Sequence, residues 1–157
     1  MYFLTMHVVT GGAGFIGSHV ADRLLKEGNE VICIDNLQTG KKDNFVHNEK
    51  SRKFKFVQNN LSDIGYLTDI FRGANTIFHF AANADIRGGI DNTRKDLELN
   101  TIVTYNVLEA MRRAEVKKIV FASSSAVYGE PTEYPTPEDY PLIVTSLYGA
   151  SKVACEA

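Results

Sequence analysis

No apolar run in this chain approaches the roughly 20 residues a membrane-spanning helix needs; the runs present are short, Val31-Ile32-Cys33-Ile34 and Ile119-Val120-Phe121-Ala122. The N-terminal MYFLTMHVV has neither the basic start nor the small-residue cleavage site of a signal peptide. A surplus of one charge is missing too. Lys and Arg number 17 against 19 Asp and Glu, a formal net charge of −2, so nothing general draws the chain to nucleic acid or to an anionic membrane. Only two cysteines occur, Cys33 and Cys155, far apart. They offer no oxidised framework, Cys33 reads as a buried thiol, and the expected compartment is the cytoplasm. With four prolines and no low-complexity tract, disorder and fibrous repeats are excluded. His7, His19, His47 and His79 lack the clustered spacing of a zinc site, so no metal is expected; His19 and His79 read as packed or capping residues.

The 157 residues suffice for one domain with a real core. Short apolar runs alternate with helical periodicity. Met6–Thr10 reads as a first strand, residues 15–27 as a helix closed by Gly28-Asn29, and Val31–Ile34 as a doubly buried second strand. Residues 36–52 are polar and read as a loop with room for a short helix. Lys53–Gln58 alternates as a more exposed third strand, and Ser62 or Asp63 caps a helix over 64–71. Thr76–Ala82 is a fourth strand, 96–114 the longest helix with Leu99, Val103, Val107, Ala110 and Met111 on one side, and Lys118–Ala122 a fifth strand. A segment holding all four prolines precedes a helix that begins near Ser146. Strand–helix alternation with right-handed crossovers predicts a doubly wound parallel α/β sheet.

Four motifs carry chemistry. Gly11, Gly14 and Gly17 stand between the first strand and its helix, where glycines permit a tight turn, a close pyrophosphate and close helix packing. The helix N-terminus there offers N–H groups to phosphate. Asp35 ends the second strand, placed to accept both hydroxyls of a ribose and to repel a 2′-phosphate, which favours NAD over NADP. Tyr148 and Lys152 are spaced i, i+4, so an ammonium can favour the phenolate of a tyrosine acid–base. Ser123-Ser124-Ser125 follows the fifth strand, at the carboxyl edge where such sheets bind ligands. Each alone has a bland reading: a packing turn, a strand-end acid, a solvated helix face, a loop of capping serines.

Together, TGGAGFIGSH (10–19), DNLQTG (35–40), HFAA (79–82), the segment from Asn100 to Thr104, ASSSAVYGEP (122–131) and YGASK (148–152) resemble the extended short-chain dehydrogenase/reductase family. The likeness is to its NAD-dependent nucleotide-sugar epimerase/dehydratase branch, with DNL-x-TG resembling the UDP-glucose 4-epimerase group. It covers nearly the whole chain. The resemblance implies an NAD-binding Rossmann fold, with Phe15 and Ile16 along the cofactor pyrophosphate and Asp35, Asn36, Leu37, Thr39 and Gly40 around the adenosine. Asn60 and Leu61 then flank the adenine, Phe80, Ala81 and Ala82 line the cofactor, and Asn100 steadies the site from the long helix. It also implies Ser124, Tyr148 and Lys152 as the catalytic set, Tyr148 and Lys152 reaching the cofactor as well.

Departures from the family pattern bear on the reaction. Asn60 stands where the family has Asp; its amide oxygen can still accept from an adenine amino group. Ser125-Ala126 replaces the Asp-Glu of the 4,6-dehydratases, and decarboxylating relatives have Glu where Ala126 stands. Ala84 replaces a Lys of some epimerases. The expected reaction is C4 epimerisation of a UDP-hexose through a 4-keto sugar, with no net redox change. The alternatives are an NAD-dependent sugar oxidoreductase or dehydratase of the same family, or an NAD-binding module without activity. Relatives continue with a sugar-binding C-terminal domain and dimerise through the long helix and the helix of Tyr148. Residues 1–157 are therefore expected to form an incomplete NAD-binding domain, truncated before the substrate domain and inactive alone, from a protein that is a homodimer at full length.

Overall fold

The structure, a computed structural model, describes residues 5–83, 85 and 91–157; Ala84 lies outside them. β1 (Met6–Thr10), α1 (Phe15–Lys26), β2 (Glu30–Asp35), β3 (Phe54–Gln58), α2 (Ile64–Phe71) and β4 (Ala74–His79) follow in order. Two 3-10 turns, Lys42–Asn44 and Val46–Lys50, break the polar stretch between β2 and β3. A further run of helix starts as α3 (Arg94–Asp96), widens into a π-helical turn (Leu97–Ile102) and continues as α4 (Val103–Arg113). β5 (Ile119–Phe121), a 3-10 turn (Ser125–Tyr128) and α5 (Leu147–Glu156) complete the described elements.

Contacts divide the chain into two compact units. The first holds Met1–Ala81 and Asn106–Phe121; the second holds Ala82–Tyr105 and Ala122–Ala157. The first contains the sheet, five parallel strands in the order β3-β2-β1-β4-β5. The order reverses between β1 and β4, the switch point at which open α/β sheets hold their ligands. Neighbours along β1 point to opposite faces, and Val8 and Val9 are both fully buried, so both faces are covered. On one face Ala21 and Leu24 of α1 pack on Val9, Val31 and Cys33. Phe45, between the two 3-10 turns, extends that layer by stacking on Phe56 at 4.1 Å. Right-handed crossovers send the chain the other way after β3, which puts α2 and the first unit's part of α4 on the opposite face, over Val8, Ile34 and Ile77.

Two expectations, the bounds of the fourth strand and the packing of His19, are corrected, and one alternative is decided. The fourth strand is Ala74–His79 rather than Thr76–Ala82. Its partner β1 ends at Thr10, so beyond His79 only single contacts persist, from the Phe80 N–H to the Thr10 carbonyl (3.1 Å) and from the Ala81 N–H to Thr10 Oγ1 (3.3 Å). At its start the strand gains Ala74, paired with Met6 across a register shift. The cap of α2 is Asp63, which accepts from the Tyr66 N–H at 3.0 Å. His19 is exposed, not packed, its Nδ1 bonded to the Phe15 carbonyl. His79 is fully buried, bonded through Nδ1 to Thr10 Oγ1 at 2.6 Å and stacked on Phe121.

Candidate active site

In the first unit, the glycine turn closes on the switch point. Gly11 has φ +69°, and a Cβ there would lie 2.7 Å from the Ala81 nitrogen and 2.8 Å from the Phe80 carbonyl carbon. Only glycine lets the end of β1 pass so close to the end of β4. Gly14 caps α1 with no side chain, and the first turn of α1 holds no acid. The leading N–H groups of a helix have no intrahelical partner, so Phe15, Ile16 and Gly17 present theirs at a terminus where no side chain competes with an anion. Phe15 and Ile16 are themselves exposed.

Asp35 binds this turn to the loop after β2. Its Oδ2 accepts from the Ala13 N–H at 3.0 Å and its Oδ1 from the Leu37 N–H at 2.8 Å. The Ala13 carbonyl in turn accepts from the Lys41 N–H (3.0 Å) and from Asn44 Nδ2 (2.8 Å). Leu37 is held at φ +61°, and at the end of β3 Leu61 is held at φ +60° with its N–H on Asn59 Oδ1. Non-glycine residues in this region are strained and persist where their surroundings over-determine them. Here two such leucines follow the ends of adjacent strands. Asn106 Nδ2 fixes the second through the Leu61 carbonyl at 2.9 Å. Asn60 is exposed, its Oδ1 accepting from the Ser62 hydroxyl; Asn36 bonds to Gln38, and Thr39 is exposed. A Cβ on Gly40 would lie 2.8 Å from Asp35 Oδ1. The bare helix terminus, the glycine passage and the strand-end carboxylate fit a dinucleotide: N–H donors for the pyrophosphate and a carboxylate acceptor for a ribose diol.

The second unit gathers Ser124, Tyr148 and Lys152. Ser146 starts α5 by accepting from the Gly149 N–H at 3.0 Å. The Ser125–Tyr128 turn packs on this helix through Gly149, where a Cβ would lie 2.5 Å from the Ala126 carbonyl oxygen. Ser124 caps that turn, its Oγ accepting from the Ala126 N–H at 3.2 Å. Lys152 is 3% exposed, with Nζ donating to the Ala122 carbonyl at 2.8 Å and lying 5.8 Å from the Tyr148 ring centroid. Burial holds its pKa below the usual lysine value, with Cys155 opposing. Ala82 and Asn100 also belong to this unit. Asn100, 1% exposed on the π turn, accepts from the Asn83 N–H (2.7 Å) and donates to Ser151 Oγ (2.8 Å). Its amide thus serves protein groups on both sides. The sequence reading missed Asn83, Asp96 and Ser151, polar residues buried beside it. Among the described residues no cluster of His, Cys, Asp and Glu could hold a metal ion, and no helix is long and apolar enough to cross a membrane.

A parallel sheet of this order, with a glycine turn at its switch point and a helix bearing Tyr-x-x-x-Lys, defines an extended short-chain dehydrogenase/reductase of the epimerase/dehydratase branch. The GDP-mannose 4,6-dehydratase family model matches residues 8–157, and the chain belongs to that family. UDP-glucose 4-epimerase of Mycolicibacterium smegmatis is 41% identical over 152 residues, 95% of this chain and 48% of that protein. A UDP-N-acetylglucosamine 4-epimerase of Methanobrevibacter ruminantium, solved with UDP-N-acetylmuramic acid, superposes with a TM-score of 0.91 at 35% identity, over 98% of this chain and 48% of that one. The Thermus thermophilus UDP-glucose 4-epimerase, solved with NAD, gives 0.86 at 38%, over 97% and 49%. The chain spans about half the length of the curated relatives it matches.

Proposed function

We propose that the whole protein is an NAD-dependent UDP-hexose 4-epimerase and that residues 1–157 are its dinucleotide-binding part, the groups that recognise the hexose lying mainly elsewhere in it. The observation that carries this reading is the second unit's arrangement of Tyr148, Lys152 and the Ser124 turn on one helix. NAD, when bound, supplies reversible hydride exchange at the sugar C4. Tyr148 takes the C4 hydroxyl proton as the carbonyl forms and returns it on reversal. Lys152, charged and nearby, favours the phenolate that accepts the proton. Ser124 hydrogen-bonds the reacting oxygen in this reading. In the first unit the α1 N-terminus takes the pyrophosphate and Asp35 the adenosine ribose, with Asn60 and Leu61 flanking the adenine; in the second, Asn100 acts as a positioning residue.

The fold and the absence of spanning helices among the described residues are consistent with a cytoplasmic enzyme. Exposed Leu97, Ile102 and Tyr105 on the long helix are consistent with a homodimer. The test is to purify the whole protein, release and quantify bound nucleotide, and follow UDP-glucose and UDP-galactose interconversion. Tightly held NAD with interconversion and no accumulation of NADH is expected. Stoichiometric NADH release with an oxidised sugar would replace this reading with that of a net oxidoreductase.

A further inference from the structure

The second unit buries a carboxylate that the proposed chemistry does not use. Asp96 is 1% exposed at the end of α3, where the helix widens into the π turn. Its Oδ1 accepts from Asn83 Nδ2 at 2.8 Å and from Asn100 Nδ2 at 3.4 Å, the latter a long contact; its Oδ2 has no hydrogen-bond partner among the described residues. Stability does not account for this group. Burying a half-satisfied charge is costly, and an amide of the same shape would keep an acceptor oxygen without the charge.

What a carboxylate provides and an amide does not is a fixed sign. It can only accept, whichever way it turns. Asn83 must then aim its NH2 group at it, and the anchored Asn83 places its backbone N–H, which can only donate, on Asn100 Oδ1 at 2.7 Å. The remaining Asn100 N–H goes to Ser151 Oγ at 2.8 Å. Ser151, having accepted, sends its own proton to the Tyr148 carbonyl at 2.7 Å. Asp96 and the Asn83 backbone N–H together assign the donors in the row. The last member grips the backbone of the residue proposed to take the proton.

The geometry points to Asp96 as a positioning residue: it anchors Asn83 at the head of the row Asn83–Asn100–Ser151–Tyr148 and so holds the first turn of α5 in the register the reaction needs. This rests on the proposed epimerase reading for its catalytic arm only. In the whole protein, Asp96→Asn keeps volume and acceptor but frees the amide to turn over. We expect its melting temperature to hold or rise, KM and NAD affinity to stay within about threefold, and kcat to fall about 10- to 100-fold, as a slightly misplaced reacting group does. Ser151→Ala, which cuts the row at its far end and suits a helix, should give the same split. The double variant should be no worse than the poorer single variant, because both break one unit. A wild-type kcat in either variant, a fall in kcat matched by a fall in melting temperature or a rise in KM, or additive losses would each overturn the assignment. A second arm needs no turnover: in this chain, labelled with 13C and 15N, Asp96→Asn should move the Tyr148 carbonyl resonance, and an unmoved resonance overturns the row. If the wild type interconverts no UDP-hexose while that resonance moves, the epimerase reading falls and the row stands.

Discussion

Replacing Asp35 by Ala removes a side chain that, beside Asn44, joins the glycine turn to the loop after β2. Two backbone N–H groups, of Ala13 and Leu37, lose acceptors at 3.0 and 2.8 Å. Hydrogen bonds to a charged partner contribute about 1.5–3 kcal/mol each when well buried. Asp35 is only half-buried and water can replace part of each bond, so a combined loss of about 1–3 kcal/mol is expected. At this chain length that lowers the melting temperature by about 2–12 °C. Leu37 adds to it, since φ +61° persists there only while its N–H is held. The ligand effect is separate. A carboxylate on both ribose hydroxyls strengthens NAD binding by about 10- to 100-fold, and its charge repels a 2′-phosphate. Thermal melts of wild type and Asp35→Ala, each alone, with NAD and with NADP, resolve the two. The wild type should gain melting temperature with NAD and less with NADP, in proportion to the logarithm of occupancy. The variant should melt lower without ligand, lose most of the NAD gain and show a narrower preference. A variant that melts with the wild type and answers both nucleotides as it does would refute the reasoning.

Gly149→Ala should destabilise the chain by about 1–3 kcal/mol, because its methyl meets the Ala126 carbonyl at 2.5 Å and the cost of overpacking exceeds the helix-propensity gain of about 1 kcal/mol; a urea titration showing a gain would reverse the argument. Lys152 has its pKa lowered by burial, so between that value and the ordinary 10.5 the unfolded chain binds more protons and stability rises with pH. The stability difference between wild type and Lys152→Met should therefore move toward the wild type as pH climbs to 10.5, and a flat difference from pH 8 to 10.5 would contradict it. Cys33 is fully buried, and burial first, then Asp22 and Asp35, push its thiol up to about 12. A thiol reagent at pH 8 should label Cys155 in the folded chain and Cys33 only after denaturation; prompt labelling of both would be inconsistent with that core.

The sheet was legible because its strands are apolar runs bounded by glycine and polar residues, a pattern backbone pairing obeys. β1 falls on Met6–Thr10 as read, and α1 and α2 end within a residue of expectation. The long helix was legible only where apolar residues mark it. Val103, Val107, Ala110 and Met111 are buried as read, while Leu99 is only partly buried. The π turn inserts an extra residue into the period and turns Asn100 inward instead. Counting apolar residues at 3.6 spacing cannot see an interior made of Asp96, Asn100 and Thr104. Asn100 came from family resemblance, and Asn83 and Ser151 from neither source, since their role lies in partners 17 and 51 residues from Asn100 along the chain.

The family's name invites a dehydratase reading, and the Ser125–Tyr128 turn is where that reading meets the residues. Eliminating water from a 4-keto sugar needs one group to remove a carbon-bound proton and another to protonate the departing hydroxyl. In dehydratases of the branch those are the acid pair directly after the catalytic hydroxyl. Here the pair is Ser125-Ala126. A hydroxyl of ordinary basicity cannot take a carbon-bound proton at neutral pH, and a methyl can take none. The turn itself is held through its backbone. Gly149 already lies against the Ala126 carbonyl, and the Ala126 N–H is spent on Ser124 Oγ. The same contact that brings the Ser124 turn onto α5 fixes Ala126 in place. The proposed exchange of alcohol and ketone asks for no such pair; the groups assigned to it are Tyr148, with Lys152 Nζ 5.8 Å from its ring centroid, and the Ser124 hydroxyl.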